Sequence, residues 1–225
     1  MRFHVNRWKK MKKRMDIFSL NVMEPLSDRE LCEAVRAWVA PVAVDRVNWP
    51  EYPYAPRVTV RVAHAIDSLV LLFDVEEEHV RAVAMEEHRA VWEDSCVEFF
   101  VADPVGEGYY NFEVNCIGTG LAAHRFSRND ATYFTDEQMA RWRRFGSLGR
   151  ELIDIHGETL HWWMLEVIPF SLLGLEKAPE RLRVNFYKCG DRCDRPHYLS
   201  WSPISLEKPD FHCPEFFGTI VLAHF

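Results

Sequence analysis

Two alternating runs joined by a turn cluster constrain the fold of this chain more than any other stretch. Residues 95–101 alternate in part between apolar and polar side chains and are mainly β-branched or aromatic, which is typical of a strand. Residues 103–108 contain aspartate, proline and two glycines, which favour a turn. Residues 109–117 then alternate again as a return strand. The sequence therefore predicts a β-hairpin near the middle of the chain.

The predicted hairpin carries an aromatic ring beside hydrogen-bonding side chains. Trp92 comes just before the first strand, and Glu98 lies within it. Glu113 and Asn115 share one face of the return strand. An aromatic ring can cover the apolar face of a sugar while polar groups bind its hydroxyls, so this pattern is typical of carbohydrate binding. A core tryptophan beside solvated acids would leave the same pattern, and both interpretations stay open at this point.

The rest of the chain repeats the strand pattern. About nine short strands are indicated, with turn residues between them and no alternation of helices with strands. Besides the hairpin, the segments that indicate strands are residues 42–49, 57–65, 69–75, 145–155, 160–168, 181–189, 198–202 and 218–223, of which 69–75 is typical of a more fully buried strand. This pattern predicts an all-β fold, an antiparallel β-sandwich of jelly-roll or immunoglobulin-like type with a short N-terminal helical extension.

The chain divides by composition at about residue 40. Residues 1–40 are predicted to form a basic lead-in and a short helix packed on the domain, with a capping box at Ser27 and Glu30. Residues 41–225 are predicted to form the sandwich. Within it, residues 76–89 indicate a solvated charged connection, and residues 122–144 indicate a polar insertion with a short helix.

The charge distribution argues against a nucleic-acid partner. The net charge is −7, and seven of the 27 basic residues but none of the 34 acidic ones lie in residues 1–14. The remaining chain is therefore strongly acidic, whereas phosphate contacts need a basic surface. No apolar run is long enough to span a membrane, and the basic start lacks the apolar region of a signal peptide. These features predict a cytoplasmic protein, or a secreted or periplasmic one if the true start lies elsewhere.

Four motifs, in order, resemble carbohydrate-binding module family 9. Residues 92–101, WEDSCVEFFV, are similar to that family's W-x-x-D-S-V-E-I-F-I-D strand, and residues 110–115, YNFEVN, to its Q-F-x-V-N strand. Nearer the end, residues 199–203, LSWSP, resemble its I-S-W-S-D-P. Residues 211–218, FHCPEFFG, resemble its terminal W-x-D-P-x-x-F-G.

The resemblance implies a non-catalytic sandwich that binds a mono- or oligosaccharide, often a chain end, between two aromatic rings in support of polysaccharide breakdown. Trp92 would be one ring, and Phe211 stands where the family has the second, a tryptophan. Glu98 matches an acid that holds sugar hydroxyls, whereas Glu113 stands where the binding members carry a basic residue. A structural calcium ion is also implied, although no ligand set in the sequence identifies its site. Neither the sugar nor the oligomeric state follows from the sequence.

Other functions remain as alternatives. The changes at Phe211 and Glu113 also fit a structural or interaction sandwich whose sugar site has decayed. Glu98 and Glu113 could be the paired carboxylates of a glycoside hydrolase. Two less specific patterns are a zinc site using Cys189, Cys193, His197, His212 and Cys213, and a haem site using Met85 with His88 or Met164 with His161.

Overall fold

The fold is carried by short strands, as the alternation of the sequence predicts. The structure is a computed structural model and describes residues 13–20 and 26–223. Its helices are α1 (Asp28–Trp38) and α2 (Asp136–Arg141), with 3-10 turns at Val91–Glu93, Phe170–Leu173 and Pro214–Phe216. The strands are β1 (Arg14–Ile17), β2 (Val42–Ala43), β3 (Arg46–Val47), β4 (Arg57–His64), β5 (Ser68–Glu77), β6 (Val80–Ala82), β7 (Cys96–Ala102), β8 (Tyr109–Asn115), β9 (Gly120–Ser127), β10 (Asp130–Tyr133), β11 (Arg143–Gly146), β12 (Ile153–Ile155), β13 (Leu160–Pro169), β14 (Arg181–Cys189), β15 (Tyr198–Ser200) and β16 (Gly218–Leu222).

These strands form two facing sheets and a small third one. The large sheet has the order β1-β16-β14-β7-β8-β9-β10, with β15 beside the second half of β14 and β3 beside β15. The second sheet has the order β11-β13-β5-β4-β2, and β6 pairs with β12 separately. The pairs are antiparallel except β1 with β16, which is parallel. The prediction of an all-β antiparallel sandwich is confirmed.

The core lies between the two sheets and is rich in aromatic rings. The ring of Phe99 on β7 stacks between Phe112 on β8 and Phe186 on β14, at centroid distances of 6.1 and 5.5 Å. Phe73 on β5 meets Phe186 from the opposite sheet. Because side chains alternate along a strand, this inward-facing row leaves the neighbouring residues of β7, β8 and β14 on the outer face of the large sheet.

Helix α1 covers the outside of the second sheet. Ser27 and Glu30 form the predicted capping box, which satisfies free N–H groups at the start of the helix. Leu31 and Val35 face the sheet and pack in a separate apolar cluster with residues of β5 and β13. No helix of the described residues is long and apolar enough to cross a membrane.

A buried ion pair joins the two sheets. Lys188 Nζ of β14 lies 2.9 Å from Glu77 Oε2 of β5, and both side chains are fully buried. The indole of Trp162 donates to Glu77 Oε1 at 2.7 Å, and Lys188 also contacts His197 Nε2 at 2.8 Å. The prediction of a solvated connection over residues 76–89 is therefore wrong at its start, because Glu77 ends a core strand and neutralises a lysine from the facing sheet.

Four of the strands do not follow from the sequence pattern. Strands β9 and β10 fall largely in the segment predicted as a polar insertion, where the glycine, alanines and polar residues of β9 hide the alternation. Strand β6 lies in the segment predicted as a charged connection. Strand β1 extends the large sheet from within residues 1–40, so this part contributes more than a lead-in and a helix. Residues 1–12, which hold most of the basic lead-in, lie outside the described residues. The short helix predicted near residues 136–144 is present as α2.

Substitution of Trp201 tests whether this residue belongs to the core between the sheets. It is 1% exposed and packs on Phe186, and Gly218 leaves room for its ring. Trp201→Ala should lower the free energy of unfolding by about 3–5 kcal/mol, since it removes a large buried ring. Trp38→Ala, at a position 83% exposed, is the control and should change it by less than about 0.5 kcal/mol. Urea unfolding measures both, and equal effects would contradict the assignment.

The buried ion pair gives a second test. Lys188→Met leaves Glu77 buried without its cation, which should cost about 3–5 kcal/mol of unfolding free energy. The double variant Lys188→Met/Glu77→Gln removes both charges and keeps an acceptor for Trp162, so it should recover part of that loss. Urea unfolding of both variants decides this. A loss below about 1 kcal/mol in the single variant would show that the pair contributes little.

Candidate functional site

A cavity of about 470 Å³ opens on the outer face of the large sheet. Its floor comes from β7, β8, β9 and β14, and its walls come from the loops that cross this face. The lining residues are Tyr52, Trp92, Glu98, Glu113, Arg125, Arg128, Asn129, Tyr133, Cys189, Asp191, Tyr198, Lys208, Pro209, Asp210, Phe211 and His212. A second apolar cluster surrounds it, in which Phe100 and Tyr187 of the sheet pack against residues of the 203–217 loop.

Two carboxyl groups lie side by side on the floor. Glu98 and Glu113 are directly opposite each other on β7 and β8, and each is 3% exposed. The thiol of Cys189 donates to Glu98 Oε1 at 3.1 Å, and the amide of Asn111 donates to Glu113 Oε1 at 2.8 Å. Among the described residues no ion pair is formed by either carboxylate within 4 Å, so their negative charge is not directly compensated.

Burial changes the protonation of this pair. It raises the pKa of Glu113 from 4.5 to about 7, against the opposing effects of the Asn111 hydrogen bond and the Arg125 charge. It raises the pKa of Glu98 well above its ordinary value, and the neighbouring Glu113 charge adds to this. Both shifts favour the protonated form, so below the pKa of Glu113 the floor offers a carboxyl proton to donate beside oxygens that accept.

A buried guanidinium lies next to the pair. Arg125 on β9 is 6% exposed, and its Nε donates to Asn111 Oδ1 at 2.8 Å. Because Asn111 in turn donates to Glu113, the amide bridges the cation and the acid. The resemblance places a basic residue at the position of Glu113. Here the neighbouring strand supplies a cation to the same cavity.

The aromatic residues of the cavity differ in their freedom to contact a ligand. Trp92 lies in the 3-10 turn before β7 and is 36% exposed. Its carbonyl accepts from the Asp191 N–H at 3.1 Å, which fixes the turn to the loop after β14. Phe211 is 8% exposed and stacks flat on Tyr187 at 4.1 Å, so most of its ring packs against protein. Tyr52 and Tyr198 pack edge to face at 4.9 Å on the same wall.

Asn115 lies away from the cavity. Its amide nitrogen donates to Asp94 Oδ2 and to the Ala84 carbonyl, both at 3.0 Å. Its side-chain oxygen accepts from the Thr119 N–H at 3.0 Å. The predicted sugar contact of Asn115 is not supported by this placement, because the fully buried amide is used to join three segments of the protein.

The structure therefore brings together four of the five predicted site residues, namely Trp92, Glu98, Glu113 and Phe211. The sequence does not assign the other lining residues to the site, among them Tyr52, Arg125, Arg128, Tyr133, Asp191 and Tyr198. Residues 121–125, Leu-Ala-Ala-His-Arg, give no local signal that Arg125 is buried beside an acid.

Two groups of side chains in the described residues have metal-ligand spacing. One is Cys96, Glu98 and Cys189 beneath the cavity, and the other is His79, His156 and Asp194. Neither offers the six to eight oxygen ligands that calcium takes, so neither fits the structural calcium that the resemblance implies. Neither group joins Cys189 to Cys193 or His197, so the zinc site considered from the sequence is not supported. All six cysteines are free and buried.

A sandwich with a polar and aromatic cavity on one sheet has the form of a small-ligand binding module. Comparison with known proteins identifies the class of binding module. The model of carbohydrate-binding family 9 matches residues 31–222. The chain belongs to this family, whose domains are non-catalytic carbohydrate-binding modules. No curated protein sequence matches the chain.

Solved structures agree with this assignment. A candidate carbohydrate-binding protein from Bacteroides uniformis is 35% identical, with a TM-score of 0.89 over 95% of this chain and all of that one. Two structures of a family 9 module from Caldicellulosiruptor kristjanssonii, with cellotriose and with glucose, are each 12% identical. Their TM-scores are 0.58 and 0.56, over 93% and 94% of this chain and 93% and 96% of theirs. At this identity they show that the fold is shared.

The raised pKa of Glu113 predicts how stability depends on pH. A carboxyl with a raised folded pKa binds its proton more tightly in the folded state, so stability falls as pH rises from about 4.5 through about 7. At about 1.4 kcal/mol per pKa unit, the loss attributable to this group is on the order of 3 kcal/mol.

Glu113→Gln keeps the oxygen that accepts from Asn111 but cannot ionise. The variant should therefore gain stability relative to the wild type between pH 5 and pH 8, and its own pH dependence should be flatter. Urea unfolding at both pH values measures this difference. Parallel pH profiles for the two proteins would contradict the buried, proton-binding state of Glu113.

Proposed function

We propose that the cavity binds a mono- or oligosaccharide and that the module supports polysaccharide breakdown by holding a sugar for a partner enzyme. One observation carries the proposal. A partly exposed tryptophan stands beside buried carboxyl and guanidinium groups that line one 470 Å³ cavity. A sugar needs both kinds of surface, because its ring has an apolar C–H face and a rim of hydroxyls.

Trp92 is the proposed platform for the sugar ring. Covering on the order of 50 Å² of ring at about 25 cal/mol per Å² yields roughly 1 kcal/mol. The Glu98 and Glu113 pair offers a proton to donate and oxygens to accept, while Arg125 adds donors in the same cavity. Each hydrogen bond adds about 1 kcal/mol net. After the cost of association, the dissociation constant should lie between millimolar and micromolar.

Phe211 has a different role from that of a free second platform. Its flat contact with Tyr187 makes it a fixed part of the wall, with one edge left for the ligand. Tyr52 and Tyr198 stand on the same wall and take over part of the second aromatic contact. The proposed clamp therefore consists of one exposed ring, Trp92, together with a packed aromatic wall.

A decayed site is the second candidate, favoured by the acid at position 113 and the burial of Phe211. Calorimetric titration with a panel of sugars separates the two. Glucose and cellotriose come first, because structures of the related module contain them. Oligosaccharides with free or reduced ends then distinguish chain-end from mid-chain binding. Absence of binding across the panel would favour the decayed site.

Trp92→Ala tests the platform. The variant should lose measurable binding to the best ligand of the panel, since it removes the exposed ring but keeps the carbonyl that accepts from Asp191. Its melting temperature should stay within about 3 °C of the wild type. Trp38→Ala is the control, because that ring is equally large and lies outside the cavity lining. Unchanged affinity in Trp92→Ala would remove this ring from the site.

A further inference from the structure

We propose that His79, His156 and Asp194 form a binding site for a divalent transition metal ion such as zinc, separate from the sugar cavity. One ligand atom from each residue lies within 4.8 Å of the other two. None of the three lines the cavity. Imidazole nitrogens with a carboxylate oxygen are the ligand set that zinc and its neighbours prefer, and calcium and magnesium prefer oxygen alone.

The pairing of two strands places the two imidazole rings next to each other. His79 precedes β6 and His156 follows β12, and these strands pair antiparallel with Val80 opposite Ile155. The two histidines therefore meet at one end of the small sheet, where their rings stack at 4.0 Å with 25° between the planes. The stacked rings present equivalent nitrogens to the same side, Nδ1 toward Asp194 and Nε2 toward Asp154. Because a ring nitrogen binds in the plane of its ring, the two planes must tilt further toward each other before both nitrogens point at one ion.

Asp194 lies on that side. Its carboxylate oxygens are 3.4 Å from His79 Nδ1 and 2.9 Å from His156 Nδ1. Two atoms bound to one zinc ion in its usual tetrahedral arrangement lie about 3.4 Å apart. The two spacings to the carboxylate are at or below this value, and the widest spacing in the group, up to 4.8 Å, must close by up to about 1.4 Å. The carboxylate already spans the two nitrogens that an ion would join.

Asp154 supplies the supporting carboxylate on the opposite side. Its Oδ1 accepts from His79 Nε2 at 2.8 Å and lies 3.4 Å from His156 Nε2. Metal-binding histidines commonly donate their second N–H to a carboxylate, which leaves the other nitrogen free to bind. His79 fits this arrangement, because its Nδ1 accepts from the Asp194 N–H at 2.7 Å and so carries a lone pair. An ion bound at Nδ1 would displace this hydrogen bond, so the Asp194 N–H would have to turn away from the ring.

The exposure of the three residues and their place in the fold also favour an ion site. His79 is 6% exposed and His156 and Asp194 are about half exposed, so an ion can enter from solvent while one ligand is fixed inside. The ion would tie the end of β12 to the 190–195 loop. Asp191 of that loop lines the sugar cavity, and its backbone N–H donates to the Trp92 carbonyl.

The test uses the full chain after chelator treatment and dialysis. Calorimetric titration with zinc chloride should show one ion per chain with a dissociation constant of about 10 µM or below, and zinc in hundredfold excess should raise the melting temperature on the order of 5 °C. His156→Ala should weaken zinc binding at least about tenfold. His161→Ala should bind zinc like the wild type, because His161 is equally exposed and pairs with Asp74 elsewhere.

Two further measurements distinguish this site from an oxygen-ligand site and from a thiolate site. Calcium and magnesium should bind at least about tenfold more weakly than zinc. Cobalt should give visible bands without thiolate-to-cobalt charge transfer, which the group formed by Cys96, Glu98 and Cys189 would produce. The proposal is overturned by absent zinc binding, by wild-type affinity in His156→Ala, by equal calcium affinity or by a thiolate band. None of these outcomes depends on whether the cavity binds sugar.

Discussion

The central strands of the large sheet are buried on both faces, and the rest of the structure depends on this constraint. One face of β7, β8 and β14 packs against the second sheet through Phe99, Phe112 and Phe186. The other is covered by loops that the sequence spaces far apart. Polar side chains on that outer face must therefore either find partners or border a cavity. Glu98 and Glu113 border a cavity, so the site results from the way in which the loops cover the sheet.

The buried acidic side chains described above have three different kinds of environment. Glu77 is neutralised by a lysine from the facing sheet. Asp94 pairs with Arg81 and also accepts from the N–H groups of Val83 and Ala84, which fixes the segment before the hairpin. The two acids of the cavity floor have no ion-pair partner among the described residues, and burial raises the pKa of both. Acids in this state, grouped in a cavity, are typical of functional sites.

The sequence predicts most of the sheet but only four of the sixteen residues that line the cavity, for a physical reason. Strands such as β4 and β14 alternate between apolar and polar residues, and β5 is a continuous apolar run, so the sequence indicates each of them as a strand. Strand β9 is mostly small or polar and becomes a strand only because β8 and β10 lie on either side of it. Arg125 could not be assigned to the site without that strand. Likewise, nothing local shows that Tyr52 and Phe211 line the same cavity.

The six buried thiols have a consequence for how motion in this molecule can be followed. Cys96 and Cys189 lie directly opposite each other at the floor of the cavity, while Cys32 lies on the face of α1 that packs on the outside of the second sheet. Burial raises the pKa of each of these thiols, so none is a ready nucleophile in the closed protein. Each becomes reactive only when its own region opens. The alkylation rate of each cysteine would thus report how often its own region opens. The rates at Cys96 and Cys189 would follow the cavity floor, and the rate at Cys32 would follow the face covered by the helix.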